Sequence, residues 1–187
     1  MRFLSFPGAL GYLLRRRGLE RSLAACGRGV IIGRHLRIRN PERIRLGNGV
    51  IISDRCVLDA GGGEHSRIVI GDGTFISSGT VLRAGDGPLE IGEGSSIGGF
   101  CRLDGGAGLL LEENVLLAAY AALSGGTMEA APTVIGRGCW LGVRVRVSAG
   151  ARIGGDTIVG AHSVVSGDLP SLAVAYGNPA RAVRSRS

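Results

Sequence analysis

Aliphatic side chains recur every six residues along most of the chain. They fall into groups of three, from Leu46, Ile52 and Leu58 near the start to Ile153, Val159 and Val165 near the end. The groups between them are Ile70, Ile76, Leu82; Ile91, Ile97, Leu103; Leu111, Leu117, Leu123; and Ile135, Leu141, Val147. Three steps of six make a coil of about eighteen residues. The pattern predicts short strands, three to a coil, hydrogen-bonded from coil to coil in a parallel β-helix.

The positions between the aliphatics are also patterned. The fourth residue after an aliphatic is almost always small, and one large and one small inward side chain per step let coils stack without voids. Three cysteines, Cys56, Cys101 and Cys139, occupy this small position, so we expect them to fill the core rather than act as nucleophiles. The residue directly after an aliphatic is often glycine, as at Gly71 and Gly92, where we expect the chain to bend between flat faces.

Successive coils begin 18 to 24 residues apart, so the longer coils must carry loops. The loops fall at Ala60 to Arg67, Ala84 to Pro88, Gly105 to Gly108 and Gly125 to Pro132. Loops on a rigid scaffold are where binding and catalytic residues tend to lie. The pattern divides the chain into a helical amino-terminal segment (1–27), the β-helix (28–170) and a short arginine-rich tail (171–187).

The net charge of +7 comes from arginine alone, because all 22 basic residues are arginines. Permanently charged guanidinium groups favour anionic partners such as phosphorylated cofactors or an acidic membrane surface. We do not expect nucleic acid, because aromatics make up only 4% of the chain and no recognition motif is visible.

Residues 9–24 form a basic amphipathic pattern, with Leu10, Leu13 and Leu14 beside Arg15 and Arg16. Such a helix could lie on an acidic membrane or cover the open end of the β-helix. Covering is the favoured alternative, since an open end exposes unpaired backbone groups. No apolar run is long enough to span a membrane, so we expect a cytoplasmic protein, with peripheral contact at the inner membrane surface as the further alternative.

Two carboxyl-terminal stretches, IGRGCWLGVRVRVSAGARIGGDTIVGAHSVVSGDLP and AYGNPARAVR, resemble the hexapeptide-repeat acyltransferases. This left-handed β-helix family includes sugar and polysaccharide O-acetyltransferases. The pieces IRNPERIRLGNGVIISDRCVLDAGGG and LEIGEGSSIGG resemble its subgroup found with bacterial surface-polysaccharide synthesis. The resemblance covers residues 28–185. It implies an all-β fold, a left-handed parallel β-helix shaped as a triangular prism, with a short amino-terminal helix and a short carboxyl-terminal tail. It also implies a homotrimer that transfers the acyl group of acetyl-CoA to a sugar or polysaccharide hydroxyl.

Six positions match CoA contacts of that family: Trp140, Gly142, Ala161, Ser166, Arg181 and Arg184. The resemblance implies that Trp140 and Gly142 line a groove between subunits and that the other four meet the pantetheine arm and the phosphates. A planar, permanently charged fork suits a phosphate. The alternatives are that Arg181 and Arg184 form a solvated tail and that Trp140 packs in a trimer interface.

The family's catalytic histidine is absent from the loop that should carry it, which reads Leu123-Ser-Gly-Gly-Thr-Met-Glu129. His65, in the loop GGGEHSR, and Glu129 are the candidate replacement bases. Two further explanations stay open: an inactive scaffold or binding protein in polysaccharide assembly, or an acceptor such as an amine that needs no strong base. We expect no metal site, because His35, His65 and His162 are scattered along the chain, unlike the zinc ligands of related carbonic anhydrases.

Overall fold

The computed structural model describes residues 11, 17–127 and 131–186. Within this part of the chain, 23 short strands wind into seven stacked coils with three strands each, followed by a hairpin. Coil 1 contains β1 (Ala25–Cys26), β2 (Ile31–Ile32) and β3 (Arg37–Arg39); coil 2 contains β4 (Ile44–Leu46), β5 (Ile51–Ile52) and β6 (Val57–Asp59); coil 3 contains β7 (Arg67–Ile70), β8 (Phe75–Ile76) and β9 (Val81–Arg83). Coil 4 contains β10 (Pro88–Ile91), β11 (Ser96–Ile97) and β12 (Arg102–Asp104); coil 5 contains β13 (Leu109–Leu111), β14 (Leu116–Leu117) and β15 (Ala122–Ser124). Coil 6 contains β16 (Thr133–Ile135), β17 (Trp140–Leu141) and β18 (Arg146–Val147); coil 7 contains β19 (Arg152–Ile153), β20 (Ile158–Val159) and β21 (Val164–Val165); the hairpin is β22 (Ala173–Gly177) and β23 (Ala180–Ser185).

The strands form three sheets, one on each face of the prism. Sheet A contains the first strand of every coil, sheet B the second strands plus the hairpin, and sheet C the third strands. Pairing between coils is parallel throughout, and the only antiparallel pair among the described strands is β22 with β23. The predicted parallel β-helix is therefore confirmed.

The predicted inward positions are buried without exception. All eighteen aliphatics of the six-residue series are at most 3% exposed. The small positions between them are buried too, and their polar side chains bond to the next coil: Thr80 donates to the carbonyl of Gly98 (2.8 Å) and Cys101 to that of Ala118 (3.2 Å). Cys56, Cys101 and Cys139 are core residues, as the pattern predicts.

Glycine after an aliphatic serves a different purpose from the predicted bend. At Gly71 a Cβ atom would lie 2.5 Å from the backbone nitrogen of Glu93 in the next coil, so glycine is needed for close stacking. The left-handed backbone appears two residues later, at Gly73 (φ 64°).

Both ends of the prism differ from the predicted boundaries. Strand pairing begins at Ala25 rather than at residue 28, and residues 17–20 are helical. Leu23 belongs to the buried core and Leu19 packs against it, so this segment covers the first coil; residues 9, 10 and 12–16 of the predicted helix 9–24 lie outside the described residues. At the other end, most of the predicted tail forms the β22–β23 hairpin. Strand β22 pairs with β20 and so provides hydrogen-bond partners for backbone groups that would otherwise be unpaired.

Among the described residues, no helix has the length and apolar character that crossing a membrane requires.

Candidate active site

Trp140 and Arg184 lie on one line across the outer surface of sheet B. Trp140 pairs with Ile158 in the next coil, Ile158 with Val174, and Val174 with Arg184. Trp140 is 49% exposed, so its indole projects outward as predicted. With neighbouring strands about 4.8 Å apart, three steps separate the two residues by about 14 Å. The carboxyl-terminal end of sheet B thus presents an indole and a guanidinium group on one surface.

Two more of the predicted contacts meet at the corner between sheets B and C. A Cβ atom at Gly142 would lie 2.6 Å from the backbone nitrogen of Ala161, so these residues stack directly, one coil apart. Arg181 pairs with Tyr176 beside the hairpin turn, at the edge of the same sheet. Ser166 is exposed but lies just past β21, at the edge between sheets C and A. The structure therefore groups five of the six predicted contacts around sheet B and places Ser166 across sheet C from them.

His65 lies far from this group. It is exposed in the loop of coil 2, beside a cavity of about 700 Å³ that is also lined by Glu64, Arg67 and Asp86. Trp140 belongs to coil 6, four coils away, which is about 19 Å along the axis. Glu129, the other candidate base, lies outside the described residues. Within one chain, His65 does not reach the predicted CoA surface.

Asp104 and Ser124 are further candidate site residues, which the sequence pattern did not single out. They are register partners at the ends of β12 and β15, at the edge between sheets C and A, so within one chain Asp104, like Ser166 and His65, lies across sheet C from Trp140. Asp104 is half-buried, and its carbonyl accepts a hydrogen bond from the backbone of Gly125 (2.6 Å), so the loop that lacks the family's histidine starts beside it. Among the described residues its carboxylate has no hydrogen-bond or ion-pair partner. The signal was present: both residues directly follow the third aliphatic of their coils.

The loops beside Asp104 form a wall of stacked backbone. The backbone N–H of Gly87 donates to the carbonyl of Gly106 (2.8 Å), and that of Ala107 to the carbonyl of Gly126 (2.7 Å). A Cβ atom at Gly85 would lie 2.8 Å from the Gly106 backbone, so the wall requires glycine. These contacts fix the loop positions beside Asp104, whose register partners on the two neighbouring coils are Arg83 and Ser124.

An apolar row runs the whole length of sheet B on its outer surface. Its members share one register position: Ile31, Ile51, Phe75, Ser96, Leu116, Trp140, Ile158 and Val174. Leu116 is 43% exposed, close to the value for Trp140. The corresponding rows of sheets A and C are interrupted by arginines such as Arg45 and Arg102. The row is uncharged and apolar except at Ser96, and an apolar row with exposed members of this kind is typical of a surface that a partner covers.

The adjoining corner between sheets B and C carries an aromatic stack. The rings of Phe100 and Tyr120 are 5.4 Å apart and nearly parallel at 9°, and the Arg144 guanidinium lies 5.7 Å from the centre of the Tyr120 ring. His35 and His162 occupy the same corner in coils 1 and 7 and are exposed. The three histidines lie on different coils, and the described residues contain no group of three or more histidine, cysteine or acidic side chains that could hold a metal. The absence of a metal stays a prediction.

Comparison with known sequences identifies the repeat. Residues 132–167 match the family described as bacterial transferase hexapeptide (six repeats). This stretch of the chain therefore carries the hexapeptide repeat. A 60-residue segment is 48% identical to an Escherichia coli K12 protein named provisionally as a colanic acid biosynthesis acetyltransferase, WcaF, covering 32% of this chain and 33% of that one. Another E. coli K12 relative, galactoside O-acetyltransferase, is 39% identical over 59 residues, which are 32% of this chain and 29% of the relative.

The chain matches only about a third of the length of these relatives. Among solved structures, the UDP-N-acetylglucosamine O-acyltransferase LpxA of Moraxella catarrhalis aligns with a TM-score of 0.69 at 20% identity, covering 87% of this chain and 66% of that one. This likeness confirms the left-handed parallel β-helix. The relatives are acetyltransferases of sugar or polysaccharide metabolism by name, as the resemblance in the sequence indicates.

Proposed function

We propose that this protein is an acyl-CoA-dependent O-acetyltransferase that uses acetyl-CoA and acts on a sugar or polysaccharide hydroxyl. The observation that carries the proposal is the line from Trp140 to Arg184 on sheet B, beside the stacked pair Gly142 and Ala161. The indole would pack against the apolar part of the cofactor, and Arg184 with Arg181 would bind its phosphates through bidentate hydrogen bonds. The names of the relatives support the same reaction class.

We propose that the protein works as a homotrimer. The apolar row on sheet B supports this, because it leaves Leu116 and Trp140 exposed in a single chain. A neighbouring subunit that covers part of this face would form, with Trp140, the second wall of a cofactor groove. The neighbouring subunit would also bring its own loops to the groove, and the described part of a single chain provides no loops there.

For the base we propose Asp104 in place of the missing histidine. In the transfer, the acceptor oxygen bonds to the carbonyl carbon of the thioester and the carbon–sulfur bond breaks. The hydroxyl proton passes to the Asp104 carboxylate and then to the leaving sulfur. Ser124, the register partner of Asp104, could hydrogen-bond the acceptor, and the backbone wall keeps both residues in place. His65 and Glu129 stay as rival bases, and the inactive scaffold stays as the alternative function.

CoA binding is the first test. Calorimetry with CoA should show binding, and the fluorescence of Trp140, the only tryptophan, should change on titration. We expect Arg184→Gln to weaken binding about tenfold or more, as loss of a charge-assisted phosphate contact would. Arg152→Gln is the matched control, because Arg152 is exposed on sheet A. Absence of CoA binding would support the scaffold instead.

Thiol release over a panel of sugars tests the base. We expect Asp104→Asn to lower kcat about a hundredfold or more while leaving CoA affinity unchanged, because a positioned base contributes on the order of 10² to 10⁴ in rate. His65→Ala and Glu129→Gln serve as comparison variants. If Asp104→Asn is fully active and either comparison variant is not, Asp104 is not the base. Turnover with amino sugars alone would favour the amine acceptor.

A further inference from the structure

Positive charge is concentrated at the amino-terminal end of the prism. Residues 1–43 contain ten arginines and two glutamates, a formal charge of +8 against +7 for the whole chain. Residues 88–132, in the middle of the prism, contain one arginine and six acidic residues. Residues 133–187 contain seven arginines and two aspartates, a formal charge of +5, so both ends of the prism are positive, the amino-terminal end more so, and the middle is negative.

The arginines of coil 1 and the start of coil 2 surround the prism on every side. We call this group the arginine collar; its members are Arg28, Arg34, Arg37, Arg39, Arg43 and Arg45. Arg28 precedes the corner between sheets A and B, and Arg34 the corner between sheets B and C. Arg37 and Arg39 lie on sheet C, Arg43 between sheets C and A, and Arg45 on sheet A. At this end sheets A and C carry guanidinium groups, and sheet B, which has none on its strands, is flanked by Arg28 and Arg34 at its two corners.

Four of the six collar arginines have no countercharge. Arg34 pairs with Asp54 (3.0 Å) and Arg39 contacts Asp59 (3.6 Å), whereas Arg43 donates to the neutral carbonyl of Gly63 (2.9 Å). Arg28, Arg37 and Arg45 are exposed, and their side chains have no carboxylate partner among the described residues. Four permanent charges are thus held at the end of a rigid rod without neutralisation.

The end that carries the collar is closed by apolar packing, with more basic residues facing outward. Leu19 and Leu23 pack on the core, whereas Arg17 and Arg21 beside them are exposed. The sequence before them adds Arg15 and Arg16 together with apolar residues. Arginine next to apolar side chains is the composition that binds at a lipid headgroup layer.

We propose that the arginine collar docks the amino-terminal end of the prism on an anionic lipid bilayer. A linear polyanion follows one groove or edge and would reach only one side of the collar. An extended plane of negative charge placed across the end reaches all sides at once. Two coils span about 10 Å, roughly one screening length at physiological salt, so every collar residue would feel the surface potential.

Vesicle co-sedimentation of the full chain tests this docking. We expect binding to vesicles of phosphatidylglycerol and phosphatidylcholine, none to phosphatidylcholine alone, and steep loss of binding with added salt. The variant Arg28→Gln/Arg37→Gln/Arg45→Gln should bind about a hundredfold more weakly, from about fivefold for each arginine.

The matched control is Arg137→Gln/Arg146→Gln/Arg152→Gln, which removes the same charge from coils 6 and 7. These arginines are exposed but lie more than about 20 Å from the first coil, beyond the screening length. The control should bind nearly as tightly as the native chain. Arg28→Lys/Arg37→Lys/Arg45→Lys, which keeps the charge, should also bind and shows that the effect is not a folding defect.

Three results would overturn the proposal. One is that the native chain does not bind anionic vesicles. Another is that the collar and control variants lose vesicle binding equally, which would show that binding depends on the total charge of the protein and not on the collar. The third is binding to a soluble acidic polysaccharide, dependent on the collar, without vesicle binding. That outcome would assign the collar to a glycan instead of a membrane. None of these results depends on CoA binding or turnover, so the docking and the proposed function fail separately.

Discussion

Cysteine, serine and threonine perform the same structural task at the small inward position. Thr74 donates to the carbonyl of Gly92 (3.0 Å), and Cys139 donates in the same way to the carbonyl of Gly154 (3.1 Å). Burial raises the pKa of the Cys101 and Cys139 thiols to about 11, so both stay neutral at any physiological pH. These thiols are hydrogen-bond donors between coils, and a raised pKa makes them unsuited to nucleophilic chemistry.

The raised pKa values predict that stability falls at alkaline pH. Between pH 9 and 11 the thiols of the unfolded chain ionise while those of the folded chain stay protonated. Ionisation therefore stabilises the unfolded state relative to the folded state. We expect each of Cys101 and Cys139 to lower the free energy of unfolding by about 1 kcal/mol at pH 10 relative to pH 8. Thermal melting at the two pH values measures the change.

The variant Cys101→Ser/Cys139→Ser is the control for this effect. Serine keeps a donor at both positions and does not ionise in this range. The double variant should show a smaller drop in melting temperature between pH 8 and 10. An equal drop would mean that other groups cause the alkaline destabilisation.

At the scale of elements, the corner between sheets B and C repeats one backbone conformation in every coil. Gly79, Phe100, Tyr120 and Arg144 all have positive φ values, between 58° and 73°. A Cβ atom at Gly79 would lie 2.7 Å from the Phe100 ring, so glycine is needed where the stack begins. The aromatic residues adopt a strained conformation that their ring contacts along the corner offset.

Gly79→Ala should therefore destabilise the protein more than a matched corner substitution. Gly73 has a similar φ of 64°, and a Cβ atom added there would have nothing within 4 Å, so Gly73→Ala isolates the backbone strain, about 1 kcal/mol. We expect Gly79→Ala to cost about 2 kcal/mol more, because it also displaces the ring. Chemical denaturation of both variants measures the difference.

In a Phe100→Ala background the difference between the two alanine variants should disappear, since the colliding ring is gone. Persistence of the difference in that background would show that Phe100 is not its cause.

The six-residue period predicts which residues of each strand point inward, because a buried position requires an apolar or small side chain and this requirement is visible in the sequence. The spacing by itself thus identifies all eighteen aliphatics and the buried cysteines. The period does not predict where strand pairing starts, at Ala25, or that the chain ends in the β22–β23 hairpin. Both depend on backbone pairing beyond the ends of the six-residue series. Asp104 and Ser124 become neighbours only when coils of unequal length are placed in register, and loop lengths conceal that register in a single sequence.

At the scale of the whole molecule, sheet B differs from the other two faces in lacking charge along its central row. Leu116→Arg would place a guanidinium in the middle of that row, where burial of an unpaired charge is costly. We expect this variant to shift the protein from trimer to monomer in sedimentation experiments. Val81→Arg is the control, because Val81 faces outward on sheet C between Val57 and Arg102. A trimer that survives Leu116→Arg but not Val81→Arg would assign the interface to sheet C.

The arginines of β23 bear on how the prism avoids growing into a fibre. A β-helix is open to continuation at each end, since a second copy could extend its ladders coil by coil. Residues 169–187 contain three arginines and no acidic residue, and the opposite end carries the arginine collar. Two molecules meeting head to tail therefore oppose like charges, and the antiparallel β23 interrupts the parallel ladder of sheet B. We therefore expect electrostatic repulsion to oppose end-to-end association at low ionic strength, and concentrated salt to weaken that opposition.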